Sequence, residues 1–246
     1  MNIEKDVAAH YTTDDLMARI RSALAESGAD PDNPSPEDLK PLDEFHTGGL
    51  KATVELLDQL PIVAQTRVLD LGCGIGGTAR HIAAKTGAHV TGVDLTLHFV
   101  EVGQRLNEMV GMADKVSLRQ GSVVDLPLIE DAFDLVTMFH VGMNVPDKAK
   151  LFTEANRVLS PGGVFALFDV MRMDEDGDLI FPMPWAEEQS FSFVEPATAY
   201  IDAGEAAGLM FKSIRNRKEF AEEFFDEAFA RLKDSGGPPP IGIHLL

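Results

Sequence analysis

The residues best suited to chemistry lie in one run, Val68-Leu69-Asp70-Leu71-Gly72-Cys73-Gly74-Ile75-Gly76-Gly77. Apolar side chains there lead to an acid and then to four glycines within six positions. The apolar part suits a strand covered on both faces. Gly72 and Gly74 allow a tight turn and a close approach of backbone to ligand, and Gly77 allows close helix packing. The glycines alone fit either a dinucleotide or S-adenosylmethionine (SAM), because they satisfy G-x-G-x-x-G and D-x-G-x-G-x-G alike. Asp70 favours SAM: ahead of the first glycine a carboxylate repels a pyrophosphate but helps hold the amino-acid end of a zwitterionic sulfonium. Asp94 closes a second apolar run, Val90-Thr91-Gly92-Val93-Asp94, ~20 residues after the glycines, where an acid accepts both ribose hydroxyls of either ligand. The plainer alternative for both acids is a strand-end turn residue.

Such a turn needs a sheet behind it, and the rest of the chain supplies the pattern for one. Strands are expected at 67–71, 88–94, 116–120, 133–139, 164–170 and 210–217, with helices between them at 77–86, 97–110, 146–159 and 197–207. This alternation means crossover units and a doubly wound, mostly parallel α/β sheet covered on both faces. Ahead of it, 13–27 carries Leu16, Ile20, Ala23 and Leu24 at helical spacing. The proline-rich 28–41 reads as a loop with a brief turn at 36–40, and 50–60 as a helix that Pro61 helps to end. The intervening Asp43-Glu44-Phe45-His46-Thr47-Gly48-Gly49 has the composition of a lid element. The chain therefore divides into an N-terminal helical cap or lid, 1–60, and a ligand-binding domain, 61–246, with a long loop at about 171–196 suited to a substrate. A last helix at 218–233 precedes a proline-rich turn, and 241–246 reads as a returning strand.

Composition sets limits on partners. The 246 residues, 45% of them hydrophobic, suffice for one large domain and an appendage. No run is long and apolar enough for a membrane span and no leader pattern opens the chain, so a soluble cytoplasmic protein is expected. The formal net charge of -19 repels nucleic-acid phosphates and anionic lipids while tolerating a neutral or cationic small molecule. The same excess acid is also what solubility alone would give. The single cysteine, Cys73, excludes an internal disulfide and a multi-cysteine metal site, and reads as a small buried turn residue. No metal is expected.

Over 67–170 the sequence resembles the class I SAM-dependent methyltransferases of the small-molecule type, which include the ubiquinone/menaquinone and phosphoethanolamine methyltransferases. The matching stretches are VLDLGCGIGG, VTGVDLT, GSVVDLP, FDLVTMFHV and RVLSPGG. The resemblance implies a Rossmann-like sheet of seven strands, the last antiparallel, with SAM at the carboxyl ends. It implies that Gly72 and Gly74 lie under the methionine part of SAM, with Asp70 ordering the turn around its amino group. Asp94 would bind the ribose, Leu95 would pack on the adenine, and Ser122 and Val123 would sit at the adenine edge in place of the commoner Gly-Asp pair. Phe139 and His140 fall where the family places cofactor and substrate contacts.

Methyl transfer asks for an aligned nucleophile, exclusion of water and at most removal of a proton. His140 is the foremost base candidate, with His46 and Tyr11 as alternatives on the lid side. For His140 a hydrogen bond to SAM or backbone is an equal alternative, and for His46 a structural role is. Met143 and Asn144 follow His140 on its loop, and Trp185, in Phe181-Pro182-Met183-Pro184-Trp185, offers a second wall together with Phe191 and Phe193. These aromatics suit an amine through cation–π attraction, or a hydrophobic acceptor through packing. The reading is therefore a methyltransferase that converts SAM to S-adenosylhomocysteine, with N-methylation of an amine slightly favoured. A second copy of the chain is a candidate partner, forming a homodimer if the N-terminal segment closes onto it. The alternatives are an NAD-dependent oxidoreductase and a SAM-binding sensor without catalysis.

Overall fold

The computed structural model describes residues 4, 15–173, 177–235 and 237–246. Tyr11 lies outside them. Five strands, β1 (Arg67–Leu71), β2 (His89–Asp94), β3 (Val116–Gln120), β4 (Phe133–Phe139) and β5 (Leu159–Phe168), form one sheet in the order β3-β2-β1-β4-β5, with every pairing parallel. The helices are α1 (Leu16–Glu26), α2 (Pro36–Asp43), α3 (Gly49–Leu57), α4 (Gly77–Thr86), α5 (Leu97–Met109), α6 (Lys148–Val158), α7 (Ala197–Ala206) and α8 (Lys218–Ser235). The chain leaves β1 toward β2 and β3 and returns to β4 on its other side, so strand order reverses between β1 and β4. In such sheets the crevice for ligands opens at that reversal, at the carboxyl ends.

Burial follows the two-residue period of β1. Leu69 and Leu71 face a cluster with Met138, Leu151, Phe152 and Tyr200, whereas Val68 faces one with Ile82, Val90, Leu118 and Leu135. A third cluster lies off the sheet: Leu16, Ile20 and Leu24 of α1 pack with Leu39 and Leu42 of α2 and with Ile75, Phe99 and Leu106.

Three expectations change. Residues 36–43 form a helix and not a brief turn, because Ser35 and Asp38 make a reciprocal capping box, with Ser35 N donating to Asp38 Oδ2 at 2.8 Å and Pro36 at the first helical position. The sheet has five strands and not seven, since neither 210–217 nor 241–246 is a strand. The latter instead turns at Ile243–Leu245 and buries Ile241 and Leu245 against the α1–α2 cluster. That leaves 210–217 without a neighbouring strand, and an extended segment with no ladder partner gains no strand hydrogen bonds; Met210 and Ile214 are 82% and 57% exposed. The fifth strand begins earlier than expected and takes in an irregularity at 160–163, between the pairs Phe133–Leu159 and Leu135–Val164.

The cap is clasped to the sheet domain by a buried ion pair. Arg80, on α4, donates to both carboxyl oxygens of Asp43 at the end of α2, and its Nη1 donates to Ile75 O at 2.8 Å and Asn107 Oδ1 at 2.9 Å. Gly77 permits the close approach: a Cβ there would lie 1.7 Å from the Asp43 carbonyl oxygen. Removing one partner of a buried pair leaves an uncompensated charge. Arg80→Ala is therefore expected to lower unfolding free energy by ~3–5 kcal/mol, read as a fall in the urea midpoint.

Candidate active site

The turn after β1 is built by backbone geometry. Gly72, Gly74 and Gly76 have φ of 68°, 54° and 84°, in the left-handed region. The Gly72 and Cys73 amides both donate to Val93 O, at 2.8 and 3.1 Å, tying the turn to the end of β2. A side chain on Gly72 would place its Cβ 2.1 Å from Val141 Cγ2, whereas nothing lies within 4 Å of that position on Gly74. Asp94 then pins the turn from β2: its Oδ2 accepts from Gly74 N and its Oδ1 from Thr96 N, both at 2.8 Å. Asp70 accepts from the Thr137 hydroxyl of β4 at 2.8 Å. Burial pushes the Asp70 carboxyl up to about 7, with the Thr137 hydroxyl opposing and the Asp94 charge adding to the rise. Burial also raises Asp94, against the pull of its amide donors.

Above this turn opens a cavity of about 680 Å³, lined from the carboxyl ends of all five strands and from the cap. Asp70, Gly72, Gly74, Asp94 and Leu95 line it beside β1 and β2, and Ser122 and Val123 do so beyond β3. Phe139, His140, Met143 and Asn144 enter from β4, His46 from the cap and Trp185 from the long loop. Every site residue expected from the sequence except Tyr11 therefore meets here. Phe191 and Phe193 do not line the cavity; their backbones fasten the loop. Asn144 Nδ2 donates to Trp185 O at 2.8 Å and Phe191 O at 3.3 Å, Lys148 Nζ donates to Phe193 O at 2.9 Å, and Phe193 N donates to Met143 O at 2.7 Å.

The two imidazoles sit side by side at the inner end. His140 has φ of 51°, unusual for a residue with a side chain, and its amide donates to Phe168 O at 2.8 Å. Its ring lies 5.7 Å from that of His46 and 5.1 Å from Phe168, and His46 lies 5.1 Å from Phe139. Burial lowers His140 to about 3 and His46 to about 4, so both rings are neutral near pH 7.

Behind His46 stands a group that sequence reasoning missed. Glu44 is buried, and its Oε2 accepts from the hydroxyls of Thr53 at 2.7 Å and Thr78 at 3.0 Å. Burial raises it to about 7, opposed by those hydroxyls and assisted by the Asp43 and Asp70 charges. Asp169, raised to about 6 by burial, accepts from Tyr200 Oη at 3.0 Å under the loop that carries His140. Phe224 and Phe225 of α8 also line the cavity; their helix was legible in the sequence, its placement over the site was not. Among the described residues no cluster of His, Cys, Asp and Glu is arranged to hold a metal ion, and no helix is long and apolar enough to cross a membrane.

Comparison with known proteins bears on the same stretch. Residues 69–167 match the methyltransferase domain family. The methyltransferase GfsG of Streptomyces halstedii is 34% identical over 56% of this chain and 49% of its own length. A sterol 24-C-methyltransferase of Gibberella zeae is 36% identical over 44% of this chain and 28% of its own. The chain thus spans half or less of the curated relatives it matches. Phosphoethanolamine N-methyltransferase 2 of Haemonchus contortus, solved with SAM, superposes with a TM-score of 0.67 over 78% of this chain and 44% of that one, at 22% identity, a likeness of fold. Residues 69–167 thus carry a methyltransferase-domain match laid over this sheet and this glycine turn.

Proposed function

We propose that the chain transfers a methyl group from SAM to a small-molecule acceptor. One observation carries the reading: Asp70 and Asp94 are buried in one cavity whose described lining includes no lysine or arginine. Two desolvated carboxyls without a counter-ion are relieved by a ligand that brings positive charge, as SAM does with its ammonium and sulfonium. A pyrophosphate would add to the repulsion, which counts against a nicotinamide dinucleotide.

When bound, SAM supplies a methyl carbon made electrophilic by its sulfonium and leaves as S-adenosylhomocysteine. The residues of this chain do the rest. Asp70 holds the amino group, Asp94 accepts from the ribose hydroxyls while keeping the turn closed, and Gly74 leaves room for the ligand. Leu95 packs on the adenine, with Ser122 and Val123 at its edge. His140, a neutral ring of low basicity, accepts a hydrogen bond from the acceptor and orients its lone pair. Phe139, Met143 and Trp185 exclude water.

An amine nitrogen is the favoured acceptor atom, supported by the aromatic walls of Phe45, Trp185 and Phe225 beside uncompensated carboxyls. The similarity to a sterol 24-C-methyltransferase favours a second reading, a carbon acceptor on a largely apolar molecule.

Calorimetry with SAM, S-adenosylhomocysteine and NADH is expected to show binding of the first two; binding of NADH alone would overturn the proposal. Asp94→Ala is expected to weaken SAM binding by ~1.5–3 kcal/mol. His140→Ala should spare that affinity while slowing label transfer from methyl-labelled SAM into a panel of amines, phenols and sterols. The affinity also carries a pH signature. A cation binds the ionised form of Asp70, whose carboxyl titrates at about 7. Below that pH binding must expel a proton, so SAM affinity should fall by up to about tenfold per pH unit. Above it the Asp70 contribution should level off, and in Asp70→Asn that part of the fall below pH 7 should be lost.

A further inference from the structure

We propose that Glu4, brought by the N-terminal stretch to the end of β3, is a further cofactor-binding residue: it accepts a hydrogen bond from the exocyclic amino group of the SAM adenine and so selects that base. The inference rests on the methyl-transfer reading for the identity of the ligand and adds to it the residue that reads the base.

Strand order sets the direction in which such a ligand lies. Asp70 stands on β1, Asp94 ends β2 and pairs with Gln120 at the end of β3, and Ser122 follows two residues later. Neighbouring strands are ~4.8 Å apart. A molecule with its ammonium at Asp70 and its ribose at Asp94 therefore carries its base over the end of β3. Gly121 N donates to Asp94 O at 2.9 Å, which holds that end against the ribose position.

A base laid there needs an acceptor for its amino group. Val123 and Val124, which line the cavity at this point, have apolar side chains. The Ser122 hydroxyl has one hydrogen, which it donates to Glu4 Oε1 at 2.5 Å, and its oxygen accepts from Val124 N at 3.2 Å. Asp125, the acid of this turn, does not line the cavity, and its charge acts on Arg157. Glu4 does line it, although 118 residues separate it from Ser122 in the chain. The other described acids of the lining are engaged elsewhere: Asp43 by Arg80, Asp70 by Thr137, Asp94 by the glycine turn, and Asp147 by Lys150 N at the start of α6. An ionised carboxylate offers about four acceptor sites, and the Ser122 hydroxyl takes one. Glu4 is thus anchored at the end of β3 with capacity for an amino group. A base with a carbonyl in place of that amino group would set acceptor against acceptor, so the same side chain rejects it.

The test is calorimetry on the full chain with three ligands: S-adenosylhomocysteine, its analogue with hydrogen in place of the adenine amino group, and S-inosylhomocysteine, which carries a carbonyl there. All three share the ribose and the amino-acid end, so their differences report the base. The unsubstituted protein is expected to bind S-adenosylhomocysteine about tenfold more tightly than the deamino analogue, as one hydrogen bond to a charged acceptor gives. Glu4→Ala should lose that factor on S-adenosylhomocysteine and leave the deamino analogue unchanged. Glu4→Gln, whose amide donates to a carbonyl, should tighten S-inosylhomocysteine relative to the unsubstituted protein. A preference that survives Glu4→Ala, or an equal loss for both ligands, would overturn the assignment. Binding of all three ligands without discrimination in the unsubstituted protein would overturn it as well and leave the methyl-transfer reading standing. Failure of every one of them to bind would instead overturn that reading, and the Glu4 assignment with it.

Discussion

Desolvation of carboxyl groups around a single cavity is the constraint to which most of this structure answers. Glu44, Asp70 and Asp94 are buried and Asp169 is half-buried near the carboxyl ends of the strands, and desolvation raises each above its ordinary range. An isolated buried carboxylate costs several kcal/mol, so each must find donors. They find them in different places. Asp94 takes backbone amides from the glycine turn, Asp70 and Glu44 take threonine hydroxyls, and Asp169 takes a tyrosine. Asp43 is paired with a full cation, Arg80, and that pair serves to join the cap to the sheet, while the Lys148 charge acts on Asp169 from a distance. The acids at the cavity are thus satisfied as hydrogen-bond acceptors but not neutralised, which leaves a site that discriminates by ligand charge.

The cap follows from the same logic. The segment read as a lid is fastened to the sheet domain by Asp43 to Arg80 and Glu44 to Thr78, and to α3 by Glu44 to Thr53. With the α1–α2 cluster and the end of the chain packed against it, this stretch is a wall of the cavity. In that wall Glu44 Oε2 gathers two donors, the hydroxyls of Thr53 and Thr78, and the same Thr53 hydroxyl lies 3.1 Å from His46 Nε2.

Legibility in the sequence tracked how local each cause was. The VLDLGCGIGG turn was readable because strand, acid and glycines are adjacent and their spacing alone dictates the bend. Asp94 and His140 were readable because each stands at the end of an apolar run. Glu44 was visible only as half of an acid pair, since Thr53 and Thr78 come from helices 9 and 34 residues away and nothing in their type marks them. The helix at Pro36–Asp43 did carry a signal, Ser35 ahead of Pro36 with Asp38 three residues on, but the prolines outweighed it. The two absent strands were misjudged because β-pattern says that a segment suits a sheet, not that a neighbour is there to pair with it. Tertiary contact decided instead, sending Ile241 and Leu245 into the cap.

The signs of the titrations tie ligand binding to folding. For the raised acids, the stabilising contribution is fully present below the unfolded value and is lost as pH rises through about 6 for Asp169 and about 7 for Glu44 and Asp70. For the lowered histidines, it is present above the unfolded value and lost as pH falls toward about 4 for His46 and about 3 for His140. The two sets oppose one another, the acids favouring the folded state at lower pH and the histidines at higher pH. At higher pH the unneutralised carboxylates weigh against the folded state, and a cationic ligand among them removes part of that burden. Binding energy and folding energy are then the same interaction counted in two equilibria, and the domain gains most from its ligand in the pH range where its own acids favour it least.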